Sequence, residues 1–505
     1  MQHLTESKAP ISLNTIPARW WIVLISIEVA IGLLVGIIPS VAQPELVIGI
    51  MVLIAYFGLA LVRPQIALGI LIFTYPFFNI TLKTTYQDQT YNYMIIPVVL
   101  APLIAIAMLA RTTAKLYIPW KPQLFLLVPV FLLAVWSAFT TCWAQNQAGP
   151  WFIAIHFIVA VSIIYSTFQI IQTEKVYRQI LWIVFYSGLI TATAIILSTI
   201  LTRNYIFNYH IIEFSGLDLT FQTFFYLMSE KSLRAMGFGT YNQMALVMTL
   251  QLFITGVLLL TAKKRKTQWL LGFAMLYMLY AQALTKTRAP MLGMLIGAVV
   301  AIYLLTRYMP KFKYKAVWLT TIVFILCLTL VILSIVGNFQ KGLSRYTSTA
   351  SGVEVKDSSW TLRLTWLENC TTYLVNSYGF GTGAGNITNI LYEHAPHPHD
   401  TFLHLITELG FIGAIILFTI ILSIIRKTIQ ALHQPHLSRD LQYMVIMITG
   451  GLVAFALSLA FEYDYFYDPT WYYLALLLVP INLALTCKDK EKLDLNVKCQ
   501  NPNVK

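Results

Sequence analysis

The segment HAPHPHDTFLHLITELGFIGAI, residues 394–415, gathers four histidines, an aspartate and a glutamate at the start of an apolar run. An imidazole titrates near neutral pH, so His399 is a candidate general base that takes a proton from a hydroxyl group. Asp400 directly precedes the run and is predicted to cap the first turn of a helix. Glu408 lies about two and a half turns further on, on the face opposite His399, and is expected to pair within the helix bundle. His404, one turn into the run, is a further candidate, with packing as its expected role.

The same histidines offer a second chemistry, because His394, His397 and His399 could together bind zinc. No nearby residue completes an obvious ligand spacing, and the five cysteines are scattered without a CxxC pair. Prolines separate His394 and His397 from His399, so these two side chains are expected to face solvent. Chemistry without a metal or a cofactor is therefore the prediction, and zinc is the alternative.

Three arginines stand in sequence contexts that suit the binding of an anion. They lie in LRAMGFGTYNQMA, LTKTRAPMLG and SWTLRLTW, and are Arg234, Arg288 and Arg363. A guanidinium fork matches the oxygens of a phosphate group, so convergence of the three would create a phosphate site. Arg234 and Arg288 lie near predicted ends of apolar runs, where anchoring at the membrane interface is the alternative for each of them.

A glycine-rich stretch, GFGTGAGN at 379–386, precedes the histidine segment. Gly383 and Gly385 allow tight turns and would let backbone amides approach an anion. The stretch is not a Walker A pattern, and a flexible loop is the alternative. We therefore predict that these two glycines contribute amides to the same anion site as the arginines.

Apolar helices must position these residues. The 505-residue chain is 58% hydrophobic and 11% charged, with a mean hydropathy of +0.70, which excludes a soluble fold and predicts one all-α integral membrane domain over residues 1–505. The net charge of +13 does not indicate nucleic-acid binding, because the basic residues cluster in short loops. About fourteen apolar runs are predicted to span the membrane: 19–40, 45–62, 65–80, 93–110, 122–141, 148–172, 179–202, 238–262, 267–285, 289–306, 316–337, 401–425, 440–461 and 469–487.

The basic residues predict how these spans are oriented. With a cytoplasmic N-terminus, 24 of the 34 basic residues fall in cytoplasmic segments, as the positive-inside rule requires. Both termini and the tail at 488–505 are then cytoplasmic, and two large outer loops remain, at 203–237 and 338–400. In the second loop, apolar residues from 362 to 374 recur at helical spacing and predict an amphipathic helix on the membrane surface.

Together these motifs resemble the O-antigen ligase and polymerase superfamily of bacterial membrane glycosyltransferases. PHDTFLHLITELGFIGA carries the specific resemblance, to the family's His-x-x-x-Leu-x-x-x-x-Glu-x-Gly signature. Weaker family patterns are matched by RAMGFGTYNQMA, which supplies Arg234 and Asn242, and by TKTRAPMLG, LRLTW and GFGTGAGN. Asp400 stands where the family usually has asparagine, and LRLTW is a shortened form of an Arg-x-x-x-Trp element. The resemblance covers residues 230–425.

The resemblance implies a GT-C-like fold and a metal-independent transfer of a glycan from undecaprenyl diphosphate to an acceptor hydroxyl. The implied acceptor is lipid A core or another glycan, and the implied place is the periplasmic face of the bacterial inner membrane, among membrane lipids. Arginines would stabilise the leaving diphosphate in place of a metal. The implied roles are catalytic for His399, donor-binding for Arg234, Arg288, Arg363, Gly383 and Gly385, and supporting for Asp400, Glu408 and Asn242.

Three alternative functions remain open at this point. A polysaccharide polymerase of the same superfamily and a protein O-oligosaccharyltransferase would share the donor chemistry and differ in the acceptor. An anion transporter belongs to a different class and would also explain many spans with arginines at their ends. The chain has no repeated halves and no matching pair of broken helices, which disfavours the transporter.

Overall fold

The computed structural model describes residues 44–74, 79–86, 89–113, 126–200, 205–214, 217–225, 241–309, 359–387, 400–434, 437–460 and 471–486. Apolar helices dominate this part of the chain. In the first half they are α1 (Pro44–Val62), α2 (Pro64–Thr74), α3 (Ile95–Thr113), α4 (Leu127–Phe139), α5 (Ala148–Ile170) and α6 (Glu174–Ile200). In the second half they are α7 (Tyr241–Thr261), α8 (Arg265–Leu284), α9 (Arg288–Tyr308), α10 (Ser359–Asn376), α11 (Thr401–Leu432), α12 (Arg439–Leu459) and α13 (Trp471–Thr486).

Within the described residues, six helices are long and apolar enough to cross a membrane, namely α5, α6, α7, α9, α11 and α12. Shorter apolar stretches lie in α1 to α4 and in α13. Twelve of the fourteen predicted runs coincide with described helices, which confirms a helical multi-pass membrane protein. The runs 19–40 and 316–337 lie outside the described residues, so the number of fourteen spans stays a prediction.

The third predicted run, 65–80, is not a complete span. Helix α2 has only 11 residues, or about 16 Å, whereas the hydrocarbon core of a bilayer is about 30 Å thick. A β-strand begins at Asn79, inside the predicted run. Helix α2 therefore does not cross the membrane by itself.

A four-stranded antiparallel sheet accompanies the helices and was not expected from the sequence. Its strands are β1 (Asn79–Tyr86), β2 (Gln89–Met94), β3 (Tyr205–Phe214) and β4 (Leu217–Phe225), in the order β2-β1-β4-β3. Each outer pair is a hairpin, and β1 pairs with β4 from Asn79 opposite Gln222 to Thr84 opposite Leu217. The sheet thus joins residues of the predicted outer loop 203–237 to the connection before α3.

Contacts between the connections fall into two groups, one at each end of the helix bundle. At one end Arg178 Nη2 lies 2.6 Å from Asp440 Oδ2, and the Tyr308 hydroxyl lies 3.3 Å from His433 Nε2. The other end carries the sheet and the contacts of residues 377–387 described below. The predicted topology also puts the residues of each group on the same side of the membrane. Which compartment each group faces stays a prediction.

Small residues bring α9 and α12 into backbone contact in the core. A Cβ on Gly297 would meet the carbonyl oxygen of Gly450, and a Cβ on Gly450 would meet that of Gly297. Close approach through glycines is a common way of packing membrane helices, because lipid supplies no hydrophobic drive for their association. Helix α12 thereby holds α9, whose first residue is Arg288, at a fixed place in the bundle.

Candidate functional site

Helix α11 is broken at Gly410, where φ is 65° and ψ is −164°. The break separates a half-helix, residues 401–409, from a second part, residues 411–432. The second part is about 33 Å long and is sufficient to cross a bilayer alone. The predicted span 401–425 lies within the candidate span Thr401–Leu432, and the break at Gly410 divides that span into the half-helix and a membrane-length part.

The break frees main-chain carbonyl groups of the half-helix from their usual partners four residues ahead. A glycine loop, defined as residues 377–387, and the indole of Trp136 supply hydrogen-bond donors instead. The bonds run from Thr382 N to Thr407 O at 3.0 Å, from Gly383 N to Glu408 O at 3.0 Å, and from Trp136 Nε1 to Leu409 O at 2.8 Å. All three freed carbonyls are thus satisfied, as buried polar groups require.

Glycines in this loop are needed for both conformation and close approach. Gly381, Gly383 and Gly385 have φ values of 82°, 90° and 69°, in the region that favours glycine. A Cβ on Gly383 would collide with Ala144, and one on Gly385 would collide with Gly149. The glycine loop therefore lies directly against the connection between α4 and α5.

The predicted anion contact of Gly383 needs correction. Its amide donates to the carbonyl oxygen of Glu408 at 3.0 Å and is therefore occupied within the protein. The sequence suggested an amide that faces a phosphate, because a glycine-rich loop that binds an anion and one that bonds to the rest of the protein have the same composition. For Gly385 the anion contact stays a prediction.

Two asparagines, which the sequence reasoning missed, fasten the glycine loop to the start of α5. The main-chain amide of Asn146 donates to Asn386 Oδ1 at 2.7 Å, and Asn386 Nδ2 donates to Asn146 O at 3.0 Å. Asn386 is completely buried. A further bond joins the amide of Ala384 to the Thr140 hydroxyl at 3.0 Å. The sequence offered only one signal, an asparagine closing a glycine-rich stretch.

Glu408 pairs with His404 inside the protein. His404 Nε2 lies 2.8 Å from Glu408 Oε1, and both side chains are 1% exposed. The same carboxylate oxygen accepts a hydrogen bond from the amide of Ile387 at 3.3 Å. The prediction that Glu408 pairs within the bundle is confirmed, and its partner is the residue one turn earlier. The spacing of four residues was the available signal for this pair.

Asp400 caps the half-helix as predicted. Its Oδ1 accepts hydrogen bonds from the amides of Phe402 at 2.9 Å and Leu403 at 3.0 Å. Such a cap satisfies donors that have no partner within the helix and favours a negative charge at its N-terminus. Two hydrogen bonds therefore set the position of the Asp400 side chain at the start of the half-helix.

Helix α10 packs against the glycine loop and the half-helix, and it includes the amphipathic segment predicted in the outer loop. Trp366 and Cys370 are buried in a small cluster with Ile387, whereas Val375 is 69% exposed. Burial raises the pKa of the Cys370 thiol; a hydrogen bond with the Thr407 hydroxyl lowers it, and the nearby carboxylates raise it further. The position of α10 on a membrane surface stays a prediction.

The remaining predicted residues are placed less completely. Arg288 is the first residue of α9 and its side chain is exposed. Arg363 lies in α10 and Asn242 in α7, but their side chains are outside the described part of the structure. Outside the described residues altogether are Arg234, His394, His397 and His399. Their predicted roles therefore stay predictions.

An apolar groove of about 800 Å³ runs beside the half-helix, between α9, α11, α12 and α13. Thr401 and Phe402 line one end of it, together with Trp471 of α13. Thr428 and Leu432 line the other end. The groove thus extends along the membrane-length part of α11 and reaches the capped start of the half-helix.

Comparison with known proteins relates this site to one family. Residues 273–418 match the family model described as O-antigen ligase. They include α9, α10, the glycine loop and the break in α11. A teichuronic acid biosynthesis protein, TuaE of Bacillus subtilis (strain 168), is 26% identical over 224 residues, which are 42% of this chain and 44% of TuaE. The chain thus aligns with less than half the length of that relative. These matches confirm the resemblance seen in the sequence: residues 273–418 of this chain are similar to the O-antigen ligase family.

Proposed function

We propose that this chain is an O-antigen ligase-like glycosyltransferase that moves a glycan from undecaprenyl diphosphate to an acceptor hydroxyl. The observation that carries the proposal is the O-antigen ligase match over residues 273–418. That match covers the same residues that form the buried constellation of glycine loop and half-helix. The proposed setting is the periplasmic face of a bacterial inner membrane, with both termini in the cytoplasm.

The proposed reaction is a displacement at the anomeric carbon of the donor sugar. His399 takes the proton of the acceptor hydroxyl, and the acceptor oxygen forms a bond to the anomeric carbon. The bond between that carbon and the diphosphate oxygen breaks, and the electron pair leaves with the diphosphate. General-base catalysis contributes about a hundred- to ten-thousand-fold in such a step. Asp400, the next residue in the sequence, has the supporting role and caps the half-helix.

The leaving diphosphate carries negative charge that must be stabilised. We assign this to the guanidinium groups of Arg234, Arg288 and Arg363, which bind phosphate oxygens without a metal. Arg288 suits this role because it begins α9, where the helix dipole also favours an anion. Gly385 and Asn242 complete the proposed donor-binding and supporting residues.

The apolar groove beside α11 supports a donor carried on a lipid. Its lining is almost wholly hydrocarbon and follows the membrane-length part of the helix, as the long isoprenoid chain of such a donor requires. Thr401 and Phe402 bring one end of the groove to the capped start of the half-helix. A lipid tail in the groove would therefore hold its diphosphate near the proposed reacting groups.

A polysaccharide polymerase is the second candidate, because the relative TuaE is named for teichuronic acid biosynthesis. A polymerase would use the same donor and the same base, and its acceptor would be another lipid-linked glycan. The two functions differ in what a deletion strain accumulates. Loss of a polymerase leaves single repeat units, whereas loss of a ligase leaves long polymer that is not transferred.

The decisive experiment uses the purified full-length protein in lipid nanodiscs. Undecaprenyl diphosphate glycan is supplied with either lipid A core or a second molecule of donor as the acceptor, and products are identified by mass spectrometry. A product with lipid A core indicates the ligase, and a lengthened lipid-linked glycan indicates the polymerase. Absence of any glycosidic product with both acceptors, while the donor is shown to bind, would contradict the proposed function.

A further inference from the structure

Glu408 joins the glycine loop to the half-helix at two points. Its carbonyl oxygen accepts from the Gly383 amide at 3.0 Å, and its carboxylate accepts from the Ile387 amide at 3.3 Å. The first contact exists because the break at Gly410 frees the carbonyl. One residue therefore fixes two amides that lie four positions apart in the loop.

His404 restrains the carboxylate that makes the second contact. Its Nε2 lies 2.8 Å from the oxygen that accepts from Ile387, and both side chains are 1% exposed. Removing the acceptor of a buried hydrogen bond leaves its donor unsatisfied. The Ile387 amide is consequently held by an acceptor that has little freedom to move.

Ile387 and Asp400 flank the segment 388–399, and both are attached to the same half-helix. Ile387 is bound near its end through Glu408, and Asp400 caps its start. The two flanking residues therefore keep a fixed separation as long as the half-helix stays intact. Breaking either attachment would release Ile387 or Asp400 from the half-helix.

We propose that Glu408 is a positioning residue that fixes the glycine loop, up to its last residue Ile387, relative to Asp400 and the half-helix. The catalytic consequence rests on the proposed function, in which His399 is the base. The proposal assigns to Glu408 a hydrogen-bond acceptor, held by His404, and no contact with the substrate. The required group is therefore the acceptor oxygen. A neutral side chain of the same length that carries such an oxygen, as in Glu408→Gln, should hold the glycine loop in the same place.

Cys370 provides a reporter of loop position that does not depend on catalysis. Cys370 is 1% exposed and lies in the cluster formed with Trp366 and Ile387. A buried thiol reacts with a small maleimide only after local opening, so its labelling rate reports how often the loop leaves its place. Replacing Cys142, Cys327, Cys487 and Cys499 by serine leaves Cys370 as the one thiol of the chain.

In that background we expect Glu408→Ala to raise the labelling rate of Cys370 by about tenfold or more, the effect of leaving the buried Ile387 amide without its acceptor. Glu408→Gln retains an oxygen acceptor and should stay within about threefold of the parent protein. Glu368→Ala is the matched control, because Glu368 is exposed on the same helix as Cys370. It should leave the rate unchanged. If Glu408→Ala does not fold, Glu408→Asp, which draws the oxygen back by one methylene, replaces it with the same expected rise.

A labelling rate of Cys370 in Glu408→Ala equal to that of the parent protein would overturn the proposal. Equal labelling rates in Glu408→Gln and Glu408→Ala would also overturn it. In the transfer assay, the positioning role predicts that kcat falls in Glu408→Ala while KM for the donor stays near the parent value, with recovery in Glu408→Gln. A parent protein without transfer activity would defeat the proposed function, whereas the labelling result would still decide the role of Glu408.

Discussion

The amide of Phe411 donates a hydrogen bond to the carbonyl oxygen of Gly379 at 2.9 Å. In an unbroken helix that amide would bond to Thr407, four residues earlier. The glycine-loop segment at Gly379, about thirty residues earlier in the sequence, thus supplies the acceptor in place of the Thr407 carbonyl. This replacement shapes the site, because it brings the glycine loop against the His404 and Glu408 pair.

Gly410→Ala should destabilise the protein strongly. Gly410 combines a φ of 65° with a ψ of −164°, a backbone region essentially restricted to glycine that costs other residues about 1–3 kcal/mol, and the added Cβ would also collide with Gly379 O and with Phe380. We expect a clear fall in the midpoint of thermal unfolding in detergent, or loss of folded protein. Gly272→Ala is the control, because a Cβ at Gly272 meets no atom within 4 Å. An unfolding midpoint equal to that of the control would mean that the break is not required.

Asn386→Ala should also lower stability, since it removes both hydrogen bonds to Asn146 in a fully buried place. Each buried polar group left without a partner costs about 1–3 kcal/mol. Thermal unfolding of the purified variant measures the loss. Asn376→Ala changes the same residue type at an exposed position of α10 and should be neutral. Equal midpoints for the two variants would contradict the role given to Asn386.

Hydropathy predicted most helices correctly because the signal is local. Twelve apolar runs coincide with helices, and their length and composition suffice to indicate them. The break in α11 gives no such signal, since the apolar pattern continues through Gly410. Its cause is a set of hydrogen bonds to residues remote in the sequence. Likewise, the four-residue spacing of His404 and Glu408 is visible in the sequence. Only the structure shows that the two side chains are buried and bonded to each other, which distinguishes His404 from a packing residue.

The sheet was missed although its strands carry a recognisable pattern. In LDLTFQT, from Leu217 to Thr223, apolar and polar residues alternate over most of the segment, as in a half-buried strand. Long apolar runs dominate the hydropathy of this chain, so a short alternating segment between two spans gives little signal. The pairing of β1 with β4 joins residues more than 130 positions apart, and nothing local in the sequence indicates that partnership.

The topology can be tested with thiol labelling of whole cells. Cys142 is exposed and lies in a predicted outer connection, so it should react with a membrane-impermeant maleimide. Lys264→Cys, at the opposite end of the bundle, should react only with a permeant reagent. Cys370 should resist both at neutral pH, because burial raises its thiol pKa. Each thiol is tested alone, with the other cysteines replaced by serine. Impermeant labelling at position 264 would reverse the predicted orientation.

Arg288→Ala should abolish most glycosyl transfer while the protein stays folded. Loss of one group that stabilises developing negative charge costs about a hundred- to a thousandfold in kcat. Arg288→Lys should restore activity only in part, since lysine keeps the charge and loses the fork. Arg234→Ala should behave in the same way. Arg307→Ala, at the far end of α9, is the control and should retain activity. Full activity of both alanine variants at 234 and 288 would place the diphosphate site elsewhere.

His399 should be the one histidine of the segment 394–404 whose replacement by alanine removes nearly all transfer without unfolding the protein. His399 directly precedes Asp400, the cap of the half-helix, and a base acts by coming within hydrogen-bond reach of the acceptor hydroxyl. His394→Ala and His397→Ala should cost little. His404→Ala should act on stability, because it leaves the buried Glu408 without this partner.

Zinc bound by His394, His397 and His399 would produce a different pattern in the same four variants. Activity would then fall in parallel at all three positions, a chelator would inhibit the parent protein, and added metal would restore it. General-base chemistry predicts a single essential position and no effect of the chelator. Transfer measured for each variant with and without chelator separates the two mechanisms. Parent-level activity in His399→Ala would exclude both, because each requires that imidazole.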